Sequence, residues 1–136
     1  MGAIDNKNLV SGWFDAWIRG DGAPLFDHVA DDVVWTIPGT CPGSGMWHGK
    51  QEFFERSARP VAERLRAPSR PAQVNRVIAE DDIVVVEWRG TATMKSGGPY
   101  DNSYCWVMRL RDGMIREVVA YIDTALVVEL FRTETI

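Results

Sequence analysis

Cysteine and histidine are scarce in this 136-residue chain, with two of each. Cys41 and Cys105 stand far apart, so a disulfide framework is not expected and both thiols read as free. With no close Cys pair and no His-x-x-x-His spacing, a metal site has no support in the sequence, and no cofactor is expected. Positive charge is not in surplus: 15 Lys and Arg stand against 19 Asp and Glu, a net charge of -4. That argues against the basic footprint of a nucleic-acid binder and against an electrostatic membrane anchor. No apolar run approaches the ~20 residues of a membrane span. The opening "MGAIDNKNLV" lacks the basic-then-apolar pattern of a signal peptide. A cytoplasmic location is the expectation, with small molecules or proteins as partners. The Gly-rich "GTCPGSG" lacks the Lys and helix start of a phosphate loop, so no nucleotide site is expected there.

What is present suits one soluble globular unit spanning residues 1–136, with 46% hydrophobic and 25% charged residues. In "NKNLVSGWFDAWIRGDG", Leu9, Val10, Trp13, Phe14, Trp17 and Ile18 form the stripe of an amphipathic helix, ended by Gly20 and Gly22. "APLFDHVADD" reads as a short second helix with Pro24 in its first turn. "DVVWTIP" is a strand stopped by Pro38, running into a Gly- and Pro-rich loop. "GKQEFFERSARPVAERLRA" is helical, with Pro60 expected to kink or split it.

The second half, from "AQVNRVIAEDD" to "EVVAYID", has turn signals at "EDD", "KSGG" and "RDG" between β-rich segments. A four-strand antiparallel meander follows, burying one face against the N-terminal helices. The expected class is α+β: a curved antiparallel sheet, made of one N-terminal strand plus the meander, packed on three to four helices as a cone-shaped α+β barrel.

"WIRGDGAPLFDHVADDVVWTIPG", "WHGKQEFFE" and "RLRDGMIREVVAYIDT" together resemble the nuclear transport factor 2-like superfamily, specifically its SnoaL-like and ketosteroid-isomerase-related members. The resemblance spans nearly the whole chain and implies helices closing over a curved sheet, an apolar pocket between them, and commonly a homodimer. It does not name a reaction, because this superfamily hosts isomerases, polyketide cyclases, dehydratases, epoxide hydrolases and carriers. The position of the ketosteroid isomerase base falls on Ile37, its oxyanion-holding Asp on Trp106 and its helix Tyr on Trp13. Apolar residues there cannot move a proton or stabilise an enolate, so isomerase chemistry of that kind is disfavoured. Epoxide hydrolases of the limonene type match at Asp123, but their Arg and second Asp fall on Trp88 and Gly90. SnoaL-like cyclases also match at Asp123, which the resemblance makes an acid/base.

Strand alternation places Tyr121 on the face of Asp123, and Asn102, Tyr104, Trp106 and Met108 together on the preceding strand. With Trp13, Trp17, Trp35, Ile37 and Trp88, these residues describe an aromatic pocket with few polar groups, the usual construction of a small-molecule site. Asp123 and Tyr104 are the candidate catalytic groups. Asn102, Tyr121 and the apolar residues are the candidate substrate contacts, with His48 at the pocket mouth or in solvent. Asp123 equally reads as the N-cap of a last helix. Two functions stay open: an enzyme applying acid/base chemistry to an apolar or polyketide-like substrate (isomerase, cyclase, dehydratase or epoxide-opening type), and a non-catalytic binder of a hydrophobic ligand.

Overall fold

The structure is a computed structural model and describes residues 2–133. Helix α1 (Ala3–Ile18) buries Val10, Trp13 and Phe14 and presents Trp17 at its last turn. Gly20, at φ +101, ends it in a conformation that costs an L side chain energy. A one-turn α2 (Ala23–Asp27) carries Pro24 in its first turn and buries Leu25.

Strand β1 (Val29–Ile37) then alternates Val33, Trp35 and Ile37 inward. The loop after it returns as β2 (Gly45–His48), which pairs antiparallel with β1. This short strand begins where the Gly- and Pro-rich loop ends, in residues that the sequence pattern leaves without an element. At four residues, following a Gly- and Pro-rich turn, it carries too little alternation to be seen without its partner.

Helix α3 (Lys50–Phe53) continues through a π-helical turn (Phe54–Ala58) into α4 (Arg59–Ala62). Pro60 has no N–H to give to the carbonyl one turn back, and the chain widens just before it, with the Arg59 N–H reaching Phe54 O. The expected disruption at Pro60 therefore takes the form of a π turn inside a continuous helix.

The meander is β3 (Arg70–Glu80), β4 (Ile83–Thr91), β5 (Asn102–Arg111) and β6 (Met114–Ile122). All three turns fall where the sequence signals them. Asp112 and Gly113, at φ 53 and 74, make the two-residue Asp-Gly turn between β5 and β6. The sheet order is β2-β1-β6-β5-β4-β3. Within it β1 runs parallel to β6, so the sheet is mixed rather than wholly antiparallel, and it is open, with β2 and β3 as its edges. This is an α+β fold with six strands where the sequence indicated five.

Helix α5 (Thr124–Thr133) closes the far end, where Val127 and Leu130 pack with Leu65, Met94 and Tyr100. The larger core lies between the inner sheet face and α1 to α3, dense in aromatic edges and faces. Both cysteines are free. Among the described residues no helix is long and apolar enough to cross a membrane.

Candidate functional site

Between the inner sheet face and the α3–α4 helix lies an apolar cavity of about 320 Å³. Four of the six tryptophans border it: Trp17 from α1, Trp35 from β1, Trp88 from β4 and Trp106 from β5. Their rings hold one another at angles. Trp106 meets Trp35 edge-on at 5.1 Å and Trp88 edge-on at 5.2 Å between centroids. Edge-to-face pairs of this kind fix ring orientation beyond what burial alone provides. Ile37 and Tyr104 complete the set of wall residues expected from the sequence.

The rest of the wall was not assigned from the sequence. Phe53 stacks on Trp35 at 4.0 Å and 15°. Phe54, Ser57, Ala58 and Val61 continue along the same helix face, and Phe26, Leu65, Ser69, Tyr100, Ala120 and Ile122 close the remainder. A signal existed for the helical part: positions 53, 54, 57, 58 and 61 follow helical spacing straight through Pro60.

Several expected contacts lie elsewhere. On β6 the inward residues are Val118, Ala120 and Ile122, whereas Tyr121 is 53% exposed on the outer face. The cause is a bulge: Leu110 pairs with Ile115 but Arg109 pairs with Glu117, so Arg116 is extra and the inward parity changes there. Asp123 is consequently exposed, not in the cavity wall. Its Oδ1 accepts the Ala125 N–H at 3.1 Å and the Leu126 N–H at 3.4 Å, which makes it the N-cap of α5.

Asn102 is fully buried, but its amide is committed to the chain. Oδ1 accepts the N–H groups of Asp123 (3.0 Å) and Ser103 (2.8 Å), and Nδ2 donates to Tyr100 Oη at 3.3 Å and to Asp123 O at 3.4 Å. It fastens the start of β5 to the end of β6 rather than facing a ligand. Trp13 is buried under α1, stacked on His28 at 4.7 Å, outside the cavity wall. His28 is thereby half-buried, with Nδ1 2.5 Å from Pro24 O. Met108 is core, one inward step beyond Trp106. His48 is exposed on β2, away from the cavity, and its backbone N–H donates to Glu52. Glu87 faces outward and pairs with Arg76 on β3.

Among the described residues no carboxylate, imidazole, amine, guanidinium or thiol lines the cavity. Its titratable groups are the phenols of Tyr104 and Tyr100. Burial raises the pKa of Tyr104 well above the ordinary 10.0, and the neighbouring Tyr100 raises it further. Burial likewise raises Tyr100, against the lowering effect of its hydrogen bond from Asn102. Both phenols therefore stay neutral and can donate a hydrogen bond. The indole N–H groups of Trp35 and Trp88 are buried without a hydrogen-bond partner among the described residues, and the Ser69 hydroxyl lies beside the Tyr104 phenol. An aromatic, uncharged chamber with a few hydroxyls can hold a flat apolar molecule and bind its oxygen atoms. No group of three His, Cys, Asp or Glu side chains among the described residues is placed to hold a metal ion.

A curved, open mixed sheet with helices covering an apolar chamber on its inner face defines the nuclear transport factor 2-like class of α+β proteins. Within that class the chain belongs to the SnoaL-like domain family, whose sequence model matches residues 10–118. Among solved structures it is similar to Bal32a from a soil-derived mobile gene cassette, at 22% identity over 96% of this chain and 98% of that one, with a TM-score of 0.77. It is also similar to a nuclear transport factor 2-like protein from Burkholderia xenovorans (22%, 96% and 98%, TM-score 0.70). A third is TerC, co-crystallised with polyporic acid (21%, 93% and 98%, TM-score 0.74). At such identities these likenesses establish the fold. No curated protein matches the chain in sequence.

Proposed function

We propose that this chain binds a flat, largely apolar small molecule in the chamber between the inner sheet face and α3–α4. The observation that carries this reading is the chamber itself: about 320 Å³ walled by aromatic rings, with the hydroxyls of Tyr104, Tyr100 and Ser69 as its polar points. Small-molecule sites are commonly apolar clefts of roughly 300–1,000 Å³ with a few polar groups that fix orientation. Ligand oxygens would meet the hydroxyls of Tyr104 and Ser69 and the indole N–H groups of Trp35 and Trp88, while the ring system lies among Trp35, Trp88 and Trp106. TerC, of the same fold, was crystallised with an organic small molecule, which is consistent with this use of the chamber.

Ala120 forms part of the wall beside Trp106, its cross-strand partner. Substituting Ala120→Leu should fill the chamber, so titration with N-phenyl-1-naphthylamine tests the reading. Wild type should show a fluorescence increase, and the variant an affinity about tenfold or more weaker. Equal affinity in the two would remove the chamber as the binding site.

A second reading keeps catalysis and assigns it to Tyr104. Its phenol is held neutral by burial, beside Tyr100, and is able to polarise a substrate carbonyl. The acid/base role expected for Asp123 rests on its matched position in related cyclases. Its carboxylate is engaged with the first amides of α5, so cap formation is the role we assign to it.

A homodimer through the outer sheet face accompanies this proposal. Ile78, Val85, Val107 and Val119 pair in one row across four strands there, and Ile78 is 54% exposed. A contiguous apolar row on a sheet face is the kind of surface that a partner covers.

A further inference from the structure

Next to the chamber runs a second, open groove of about 1,010 Å³. The two spaces share Trp17, Pro68 and Ser69, so they adjoin between the last turn of α1 and the segment leading into β3. Their chemistry differs: the chamber is uncharged, whereas the groove is lined by Arg66 and Arg70 with one carboxylate, Asp101.

The two guanidiniums are placed against glycine. A β-carbon at Gly20 would stand 2.8 Å from Arg70 Nη1, and one at Gly97 would stand 3.5 Å from Arg66 Nη2. A side chain at residue 20 would have to displace the Arg70 guanidinium, and Gly20 also holds φ +101. The Arg66 backbone is fixed by its N–H to Thr93 O at 2.9 Å, and Arg70 lies in register opposite Thr91. Among the described residues, neither arginine forms an ion pair. Two unpaired guanidiniums lining one groove give it local positive charge in a chain of net charge -4, whose general field repels anions. Arginine suits the planar, bidentate binding of carboxylate or phosphate oxygens.

We propose that this groove is an anion site for the tail of an amphipathic ligand whose ring system occupies the chamber. The ligand class is an aromatic or polycyclic apolar head joined through a short tether to a carboxylate or phosphate. The head passes Trp17 and Ser69 into the chamber, and the anion remains outside between Arg66 and Arg70. This inference rests on the chamber reading above.

The test compares three probes with one ring and one two-methylene tether: 3-(2-naphthyl)propanoate, its neutral amide and 2-(2-naphthyl)ethyl phosphate. Each is titrated calorimetrically into wild type and into Arg66→Gln/Arg70→Gln at low ionic strength. The expected result is an anion bound about tenfold more tightly than the amide by wild type, a preference that falls toward one in the double variant and on adding salt. Amide affinity should be unchanged by the substitutions, which also certifies the variant's fold. The carboxylate and phosphate arms show which oxyanion the groove prefers. Equal binding of anion and amide by wild type overturns the anion site and leaves the chamber reading standing, as does a preference that survives in the variant. Failure of all three probes to bind overturns both.

Discussion

Trp88 and Tyr104 are direct cross-strand partners on β4 and β5, and their rings stack at 3.8 Å with planes 10° apart. The pair is a shared surface: one ring contributes apolar wall, the other carries the phenol. Stacking holds Tyr104 in place without using its hydroxyl, so Tyr104→Phe should keep the wall and delete only the polar point. Affinity for a ketone-bearing aromatic probe should fall about fivefold, while affinity for N-phenyl-1-naphthylamine stays within about twofold. Parallel fluorescence titrations measure both.

The same phenol sets an alkaline limit on stability. Tyr104 and Tyr100 have folded pKa values above the unfolded 10.0, so the folded chain holds their protons more tightly. Their contribution is complete below pH 10 and is lost as the pH rises through the folded values. Denaturant unfolding should therefore show stability falling above about pH 10, with a shallower fall in Tyr104→Phe. An unchanged slope would contradict the buried, neutral state of this phenol.

Asp123 separates capping from chemistry. Asp123→Ala should cost about 1 kcal/mol in unfolding free energy, because two α5 amides lose their acceptor. Asp123→Asn should restore nearly all of it, since Asn caps as well as Asp. Neither variant should change ligand affinity by more than about twofold. Loss of turnover on an identified substrate in the well-folded Asn variant would return Asp123 to the catalytic role suggested by the resemblance.

Asn102 is the buried polar anchor between the ends of β5 and β6. Asn102→Ala strands the Asp123 and Ser103 N–H groups and removes a donor from Tyr100, so a loss of about 2–3 kcal/mol is expected. Chemical denaturation gives the value directly. A near-neutral result would mean that water or a rearranged strand end replaces the amide.

Elements with a strong local signal were legible in the sequence. The spacing of Val10, Trp13, Phe14 and Trp17 declares α1, and Asp112–Gly113 declares the last hairpin. Alternation along β5 put Tyr104 and Trp106 on the inner face, where both line the chamber. On β6 both faces are apolar, so alternation had nothing to choose between Val118–Ala120–Ile122 and Val119–Tyr121, and the bulge at Arg116 decided it. Placing Asp123 in the pocket forced the wrong phase on that strand. Strand β2 depends on pairing with β1, a long-range contact that four residues do not announce. Phe53, Ser57 and Val61 were legible as a helix stripe, but their place on the chamber wall depends on how that helix lies over the sheet.

Ligand binding in the chamber is tested most directly by a two-dimensional NMR titration of the indole N–H resonances with N-phenyl-1-naphthylamine. Trp17, Trp35, Trp88 and Trp106 border the chamber, while Trp13 and Trp47 do not, so each binding event reports its own location. Binding in the chamber predicts saturable shifts at the first four with the other two unmoved. Shifts centred on Trp13 or Trp47, or none at all up to the solubility of the probe, would contradict it.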